Sequence, residues 1–169
     1  MPVAILARPR GRVRQATTTT ALAVSARLRS IDDPTVPTVL LTGAAGYIGS
    51  HTWLALARAG FDVIGVDDFS NSSPRVLERL QTLLGHTPQF ERLNVCDITA
   101  VEALLERRPV NATVHFAASK AVGESTAKPL AYYANNLGGL IAVCQAMCHH
   151  GVGRFVFSSS ATVYGQPEV

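Results

Sequence analysis

The chain has 169 residues, 47% of them hydrophobic and 16% charged, with three cysteines and a formal net charge of +3. That composition excludes an intrinsically disordered chain, and no apolar run approaches the roughly 20 residues that span a bilayer. The positive charge is local, because Arg8, Arg10, Arg12, Arg14, Arg27 and Arg29 all precede the first acid, Asp32, and after position 36 basic and acidic side chains nearly balance.

Residues 1–36 therefore read as a disordered basic tail or extension. Its Arg, Thr and Ala content, with the low-complexity run Thr17–Thr20, is compatible with a non-native extension, an organellar targeting segment or a nucleic-acid arm. The balanced charge of the remainder argues against nucleic acid as a partner of the domain. Pro34 and Pro37 punctuate the boundary. Cys96, Cys144 and Cys148 are an odd number without framework spacing, which fits a reduced, cytoplasmic protein. Cys144, Cys148 and His149 could be imagined around a metal, but half-buried helix cysteines are the commoner case, and no metal is expected.

From Thr38 onward the segments alternate. Thr38–Thr42 is a short apolar strand. Tyr47–Ala59 has helical periodicity through Ile48, Trp53, Leu54 and Leu56, and Gly60 closes it. Asp62–Asp67 is the second strand. Pro74–Leu84 is a helix ended by Gly85, and Gln89–Val95 the third strand. Thr99–Arg107 is a helix capped by Asp97 or Thr99, and Ala112–Ala117 the fourth strand. Pro129–His149 is a long helix with proline in its first turn and Gly151 at its end, and Arg154–Phe157 is the fifth strand. Strand and helix in alternation predict a parallel sheet covered on both faces, an α/β doubly wound fold of order 3-2-1-4-5.

Between the first strand and the first helix lies Gly43-Ala44-Ala45-Gly46-Tyr47-Ile48-Gly49. In that position a spaced glycine triplet is the signature of a dinucleotide loop. Gly43 permits the tight turn, Gly46 admits a pyrophosphate close to the backbone, and Gly49 lets the helix approach the sheet. Phosphates would then meet the N–H groups and positive dipole end of the helix. Asp67, at the end of the second strand, suits the hydroxyls of an adenosine ribose and would repel a 2′-phosphate, so NAD is expected over NADP. Residues 37–169 thus read as a Rossmann-like NAD-binding domain.

The G-x-x-G-x-x-G spacing resembles the extended, nucleotide-sugar branch of the short-chain dehydrogenase/reductases. DDFSNSS (67–73), CDI (96–98), HFAASKAVGES (115–125), PLAYYANN (129–136) and SSSATVYG (158–165) resemble, more narrowly, the UDP-glucose 4-epimerase family. The resemblance runs from about Val39 to Gly165, in order, and leaves out the tail. It implies that Tyr47 and Ile48 lie over the pyrophosphate and that Asp67, Asn71 and Ser72 hold the adenosine ribose and its phosphate. It implies that Asp97 and Ile98 flank the adenine. Phe116, Ala117, Ala118 and Lys120 would line the centre of the cofactor, and Asn135 would reach in from the long helix. Ser158 and Ser159 would begin the catalytic loop near the nicotinamide, with Ser160 as the catalytic serine on the sugar's 4-oxygen. His51 and His115 read as structural rather than catalytic.

The activity implied is interconversion of UDP-glucose and UDP-galactose. Bound NAD oxidises C4, a 4-keto sugar forms, and the hydride returns to its other face. The base in that family is the tyrosine of a Tyr-x-x-x-Lys pair, its pKa lowered by the lysine. Here Tyr47, Tyr132, Tyr133 and Tyr164 are followed four residues on by His51, Asn136, Leu137 and Glu168. The expectation is an N-terminal fragment, truncated before the last strands and the substrate domain, inactive alone and poorly soluble through an exposed fifth strand, with a homodimer when full-length. A nucleotide-sugar 4,6-dehydratase would need an Asp-Glu pair where Ala161 and Thr162 stand. Other epimerases or decarboxylases of the superfamily, and a non-catalytic NAD-binding module, remain as alternatives.

Overall fold

The computed structural model describes residues 36–159. All of the expected tail except Val36, and Ser160 with the nine residues after it, lie outside the described residues. The elements in chain order are β1 (Thr38–Thr42), α1 (Tyr47–Arg58), β2 (Asp62–Asp67), α2 (Arg75–Leu84), β3 (Gln89–Arg92), α3 (Ile98–Arg107), β4 (Ala112–His115), α4 (Val122–Ala127), α5 (Pro129–His149) and β5 (Phe155–Phe157). The strands form one parallel sheet in the order β3-β2-β1-β4-β5.

Register follows from burial on both faces. Leu40 of β1 stands opposite Ile64 of β2 and Thr113 of β4, so side chains alternate in rows across the sheet. Val39, Leu41, Val63, Ala112 and Val114 turn to one face and pack with Trp53 of α1 and Leu80 of α2. Leu40, Ile64 and Val66 turn to the other, against Val101, Leu104 and Leu105 of α3 and Val143, Ala146 and Met147 of α5. The central strands have apolar residues on both sides because both sides are covered.

Several ends differ from the sequence expectation. β3 stops at Arg92 rather than Val95. Leu93 still donates its N–H to the Asp67 carbonyl (3.1 Å), but Asn94 then turns the chain, its Oδ1 accepting the Cys96 N–H (2.9 Å). Leu93 and Val95 stay buried, so apolar alternation outlasts the strand. β4 stops at His115 rather than Ala117. Helix α3 starts at Ile98, with the Asp97 carboxylate accepting the Ala100 N–H (3.1 Å) as its cap. Helix α4 was not expected, since none of its residues is buried and it leaves no apolar periodicity to read.

Candidate functional site

A cleft of about 290 Å³ opens at the carboxyl ends of β1, β2 and β4, where crossovers leave in opposite directions. Its floor is the loop between β1 and α1. Gly43 has φ of +66°, and a Cβ there would lie 2.8 Å from the Ala117 nitrogen and the Phe116 carbonyl carbon. A Cβ on Gly49 would lie 2.1 Å from the Gly43 oxygen. Both glycines are therefore required by close backbone approach, one to the loop after β4 and one within its own loop. The first intrahelical bond of α1 runs from the Ser50 N–H to the Gly46 carbonyl (2.9 Å), so the N–H groups of Tyr47, Ile48 and Gly49 precede the helical ladder. No acid stands in that first turn to compete for them.

Asp67 forms the second wall. It is buried, and its carboxylate is already a hub. Oδ2 accepts the Ala45 N–H of the glycine loop (3.0 Å), while Oδ1 accepts the Phe69 N–H (2.9 Å) and the Ser72 hydroxyl (2.8 Å). Three of the roughly four acceptor positions of a carboxylate are used inside the protein. Phe69 follows in the left-handed region with φ of +62°, held there by its bond to Asp67 and by packing on Phe90 at 5.1 Å.

The third wall is the loop after β4. Phe116, Ala117, Ala118, Ser119 and the exposed Lys120 line the cleft together with Asn135 of α5. Asn71 reaches across from the second wall, its Nδ2 donating to the Ala118 carbonyl at 3.5 Å. The arrangement offers backbone donors at a helix start, an anchored carboxylate and a lysine at one cleft, the donor set of an anion-plus-sugar ligand.

The family described as the NAD dependent epimerase/dehydratase family matches residues 39–169. The chain belongs to that family. It is 47% identical over 130 residues to the UDP-glucose 4-epimerase of Bacillus subtilis (strain 168), an overlap of 77% of this chain and 38% of that protein. It is 48% identical over 136 residues to the UDP-glucose 4-epimerase of Homo sapiens, covering 77% of this chain and 39% of the relative. Among solved structures, it is similar to the UDP-glucose 4-epimerase of Bifidobacterium longum in complex with NAD+ and UDP, with a TM-score of 0.75 and 44% identity over 78% of this chain and 39% of that one. The enzyme from Stenotrophomonas maltophila, with bound NAD and formylated UDP-arabinopyranose, gives a TM-score of 0.75 and 42% identity over 79% of this chain and 40% of that one. The chain thus spans under half the length of the curated relatives it matches.

Of the residues singled out for the epimerase/dehydratase site, Gly43, Gly46, Tyr47, Ile48, Gly49, Asp67, Asn71, Phe116, Ala117, Ala118, Lys120 and Asn135 line the one cleft. Ile48, expected on the packed side of its helix, is exposed there instead, and Trp53 alone carries that helix deep into the core. Ser72 acts behind the wall, through Asp67. Asp97 and Ile98 are not among the lining residues; Asp97 Oδ1 caps α3, and Leu93, Asn94 and Val95 line the cleft just before them. Ser158 and Ser159 are exposed beyond β5 and do not line it, although the Ser158 N–H still pairs with the His115 carbonyl (3.3 Å). Sequence reading missed Asn94 and Ser119, both of which follow strand ends; the rule that ligands sit beyond the carboxyl ends of strands was the available signal.

The titratable groups nearby are structural. His115 is buried, its Nδ1 2.8 Å from the Thr42 hydroxyl, and burial pushes its pKa down to about 4. Cys96 lies against α5, its thiol pushed up first by burial and then by the Asp68 carboxylate. Tyr132 is also raised, first by desolvation and then by its hydrogen bond to Glu124, the wrong direction for a base. His149 pairs with Glu102 at 2.6 Å, and the described residues hold no cluster of metal-ligand type.

Proposed function

We propose that these residues form the NAD-binding half of a nucleotide-sugar epimerase, and that the whole protein interconverts UDP-glucose and UDP-galactose through a 4-keto sugar. The observation that carries the reading is the Asp67 hub, a buried carboxylate tied to the glycine loop and facing a cleft whose backbone cannot carry a Cβ at Gly43 or Gly49. The N–H groups of Tyr47, Ile48 and Gly49 bind the pyrophosphate, and Asp67 uses its remaining acceptor position on the adenosine ribose. Ser72 and Asn71 steady that end, and Leu93, Asn94 and Val95 face the adenine. Lys120 balances the diphosphate charge. NAD, when bound, supplies the hydride acceptor and donor.

Ser158 and Ser159 lead to Ser160, which orients the sugar's 4-oxygen. No tyrosine of the 169 residues stands four before a lysine, so this reading assigns the chain cofactor binding and the serine, but not the base. The three free thiols suit a cytoplasmic location, and among the described residues no helix is long and apolar enough to cross a membrane. Homodimerisation is proposed through α5, where Leu130, Tyr133, Leu137 and Ile141 are exposed at spacings of one helical turn.

Calorimetric titration with NAD and NADP tests the reading. Saturable NAD binding, at least tenfold tighter than NADP and lost in Asp67→Ala, is the expected result. Equal affinity for both cofactors would remove the role given to Asp67.

A further inference from the structure

The third wall is held by a side chain that does not itself line the cleft. Asn136 is half-buried on α5, next to Asn135. Its Oδ1 accepts the Ser119 N–H (2.8 Å) and its Nδ2 donates to the Ser119 carbonyl (3.0 Å). Both partners are backbone groups of fixed polarity, so the orientation of this amide is determined. The same Oδ1 accepts from Asn135 Nδ2 (3.0 Å), which also donates to the Ser119 hydroxyl (3.2 Å). Both hydrogens of the Asn135 amide are then used. What Asn135 retains is its Oδ1, whose one contact among the described residues is the Cys96 thiol at 3.9 Å.

We propose that Asn136 is a positioning residue that clamps the Ser119 loop to α5 and leaves Asn135 a pure acceptor, so that Asn135 takes a hydrogen-bond donor of the ligand and never a phosphate oxygen. The inference rests on the NAD reading for the identity of the ligand. Asn135 lies beside Cys96, which directly follows the Leu93, Asn94 and Val95 segment of the cleft. Its partner is a donor of the ligand: the adenine amino group, a ribose hydroxyl or the carboxamide N–H.

Three forms of the chain test this, wild type, Asn136→Ala and Asn136→Asp, each titrated with NAD, AMP and nicotinic acid adenine dinucleotide, with amide exchange of Ser119 followed by NMR. In Asn136→Ala, the Ser119 N–H is expected to exchange at least tenfold faster. NAD binding weakens about tenfold, the loss of one or two hydrogen bonds; an equal loss for AMP puts the donor in the adenylate half, and an unchanged AMP affinity puts it in the other half. Where AMP is unaffected, an equal tenfold loss for the deamidated dinucleotide identifies a ribose hydroxyl as the donor, and disappearance of the loss identifies the carboxamide. Asn136→Asp keeps the size and the acceptor. When ionised it faces the Ser119 carbonyl with a carboxylate, and when protonated it donates to that carbonyl. Its NAD affinity should therefore climb back toward wild type as pH falls from 8 to 5. Unchanged NAD affinity in both variants would overturn the proposal. A wild-type chain that binds neither ligand would overturn the cofactor reading, and the Ser119 exchange rate alone would then decide the clamp.

Discussion

Asp67 shows how one buried polar group can serve folding and site at once. Removing the Asp67 carboxylate leaves the Ala45 and Phe69 N–H groups without their acceptor. Asp67→Ala is expected to lower unfolding free energy by about 2 kcal/mol, measured by urea denaturation, besides abolishing NAD binding. Asp67 was legible from its position at the end of the second strand; its three internal bonds were not, because they depend on how the following loop folds back. His115 has the opposite linkage from a partnered histidine. Its pKa of about 4 in the fold lies below the ordinary 6.5, so protonation favours the unfolded chain. Above pH 6.5 neither state holds the proton and stability is complete. Between 6.5 and 4 only the unfolded chain takes it, and stability falls by up to about 1.4 kcal/mol per pH unit, levelling off below 4. Urea midpoints measured at pH 7.5, 6 and 5 should follow that slope, and His115→Gln should flatten it.

At the scale of elements, α1 is set by two contacts that forbid a side chain. A Cβ on Gly49 meets the Gly43 backbone at 2.1 Å, and one on Gly65 of β2 meets the Trp53 ring at 1.9 Å. Gly49→Ala must lift the start of α1 off its loop, and NAD affinity should drop at least a hundredfold with a smaller loss of stability. Gly65→Val should do the reverse. It displaces Trp53 from the core, costs about 3 kcal/mol in thermal or urea unfolding, and reaches NAD only indirectly. The glycine spacing exposed the first of these roles in the sequence. Gly65 sits in an apolar strand with nothing local to mark it, since its reason is a tryptophan from a different element. Strand ends were misplaced for a related cause. Leu93 and Val95 remain buried after β3 has ended, because apolar alternation reports burial, whereas a strand also needs a neighbour to pair with.

Over the whole domain, the sheet buries both faces while α5 leaves Leu130, Tyr133, Leu137 and Ile141 exposed, and Phe157 is half-exposed on the edge strand β5. Such a stripe and such an edge favour association. Light scattering on the purified 169-residue chain should show concentration-dependent oligomers, and Leu137→Glu with Ile141→Lys should shift it toward monomer without changing NAD affinity. A monodisperse wild-type monomer would remove the interface assigned to α5. By itself the sequence determined the alternation of strands and helices, the parallel sheet and its order, the glycine loop and Asp67, because each is written in a local pattern of apolar period, turn residue and spacing. Tertiary structure alone decided that Asn94 lines the cleft and that Asn136 grips Ser119. These outcomes depend on which polar group reaches a given backbone N–H first once distant segments have packed, and no local pattern carries that information.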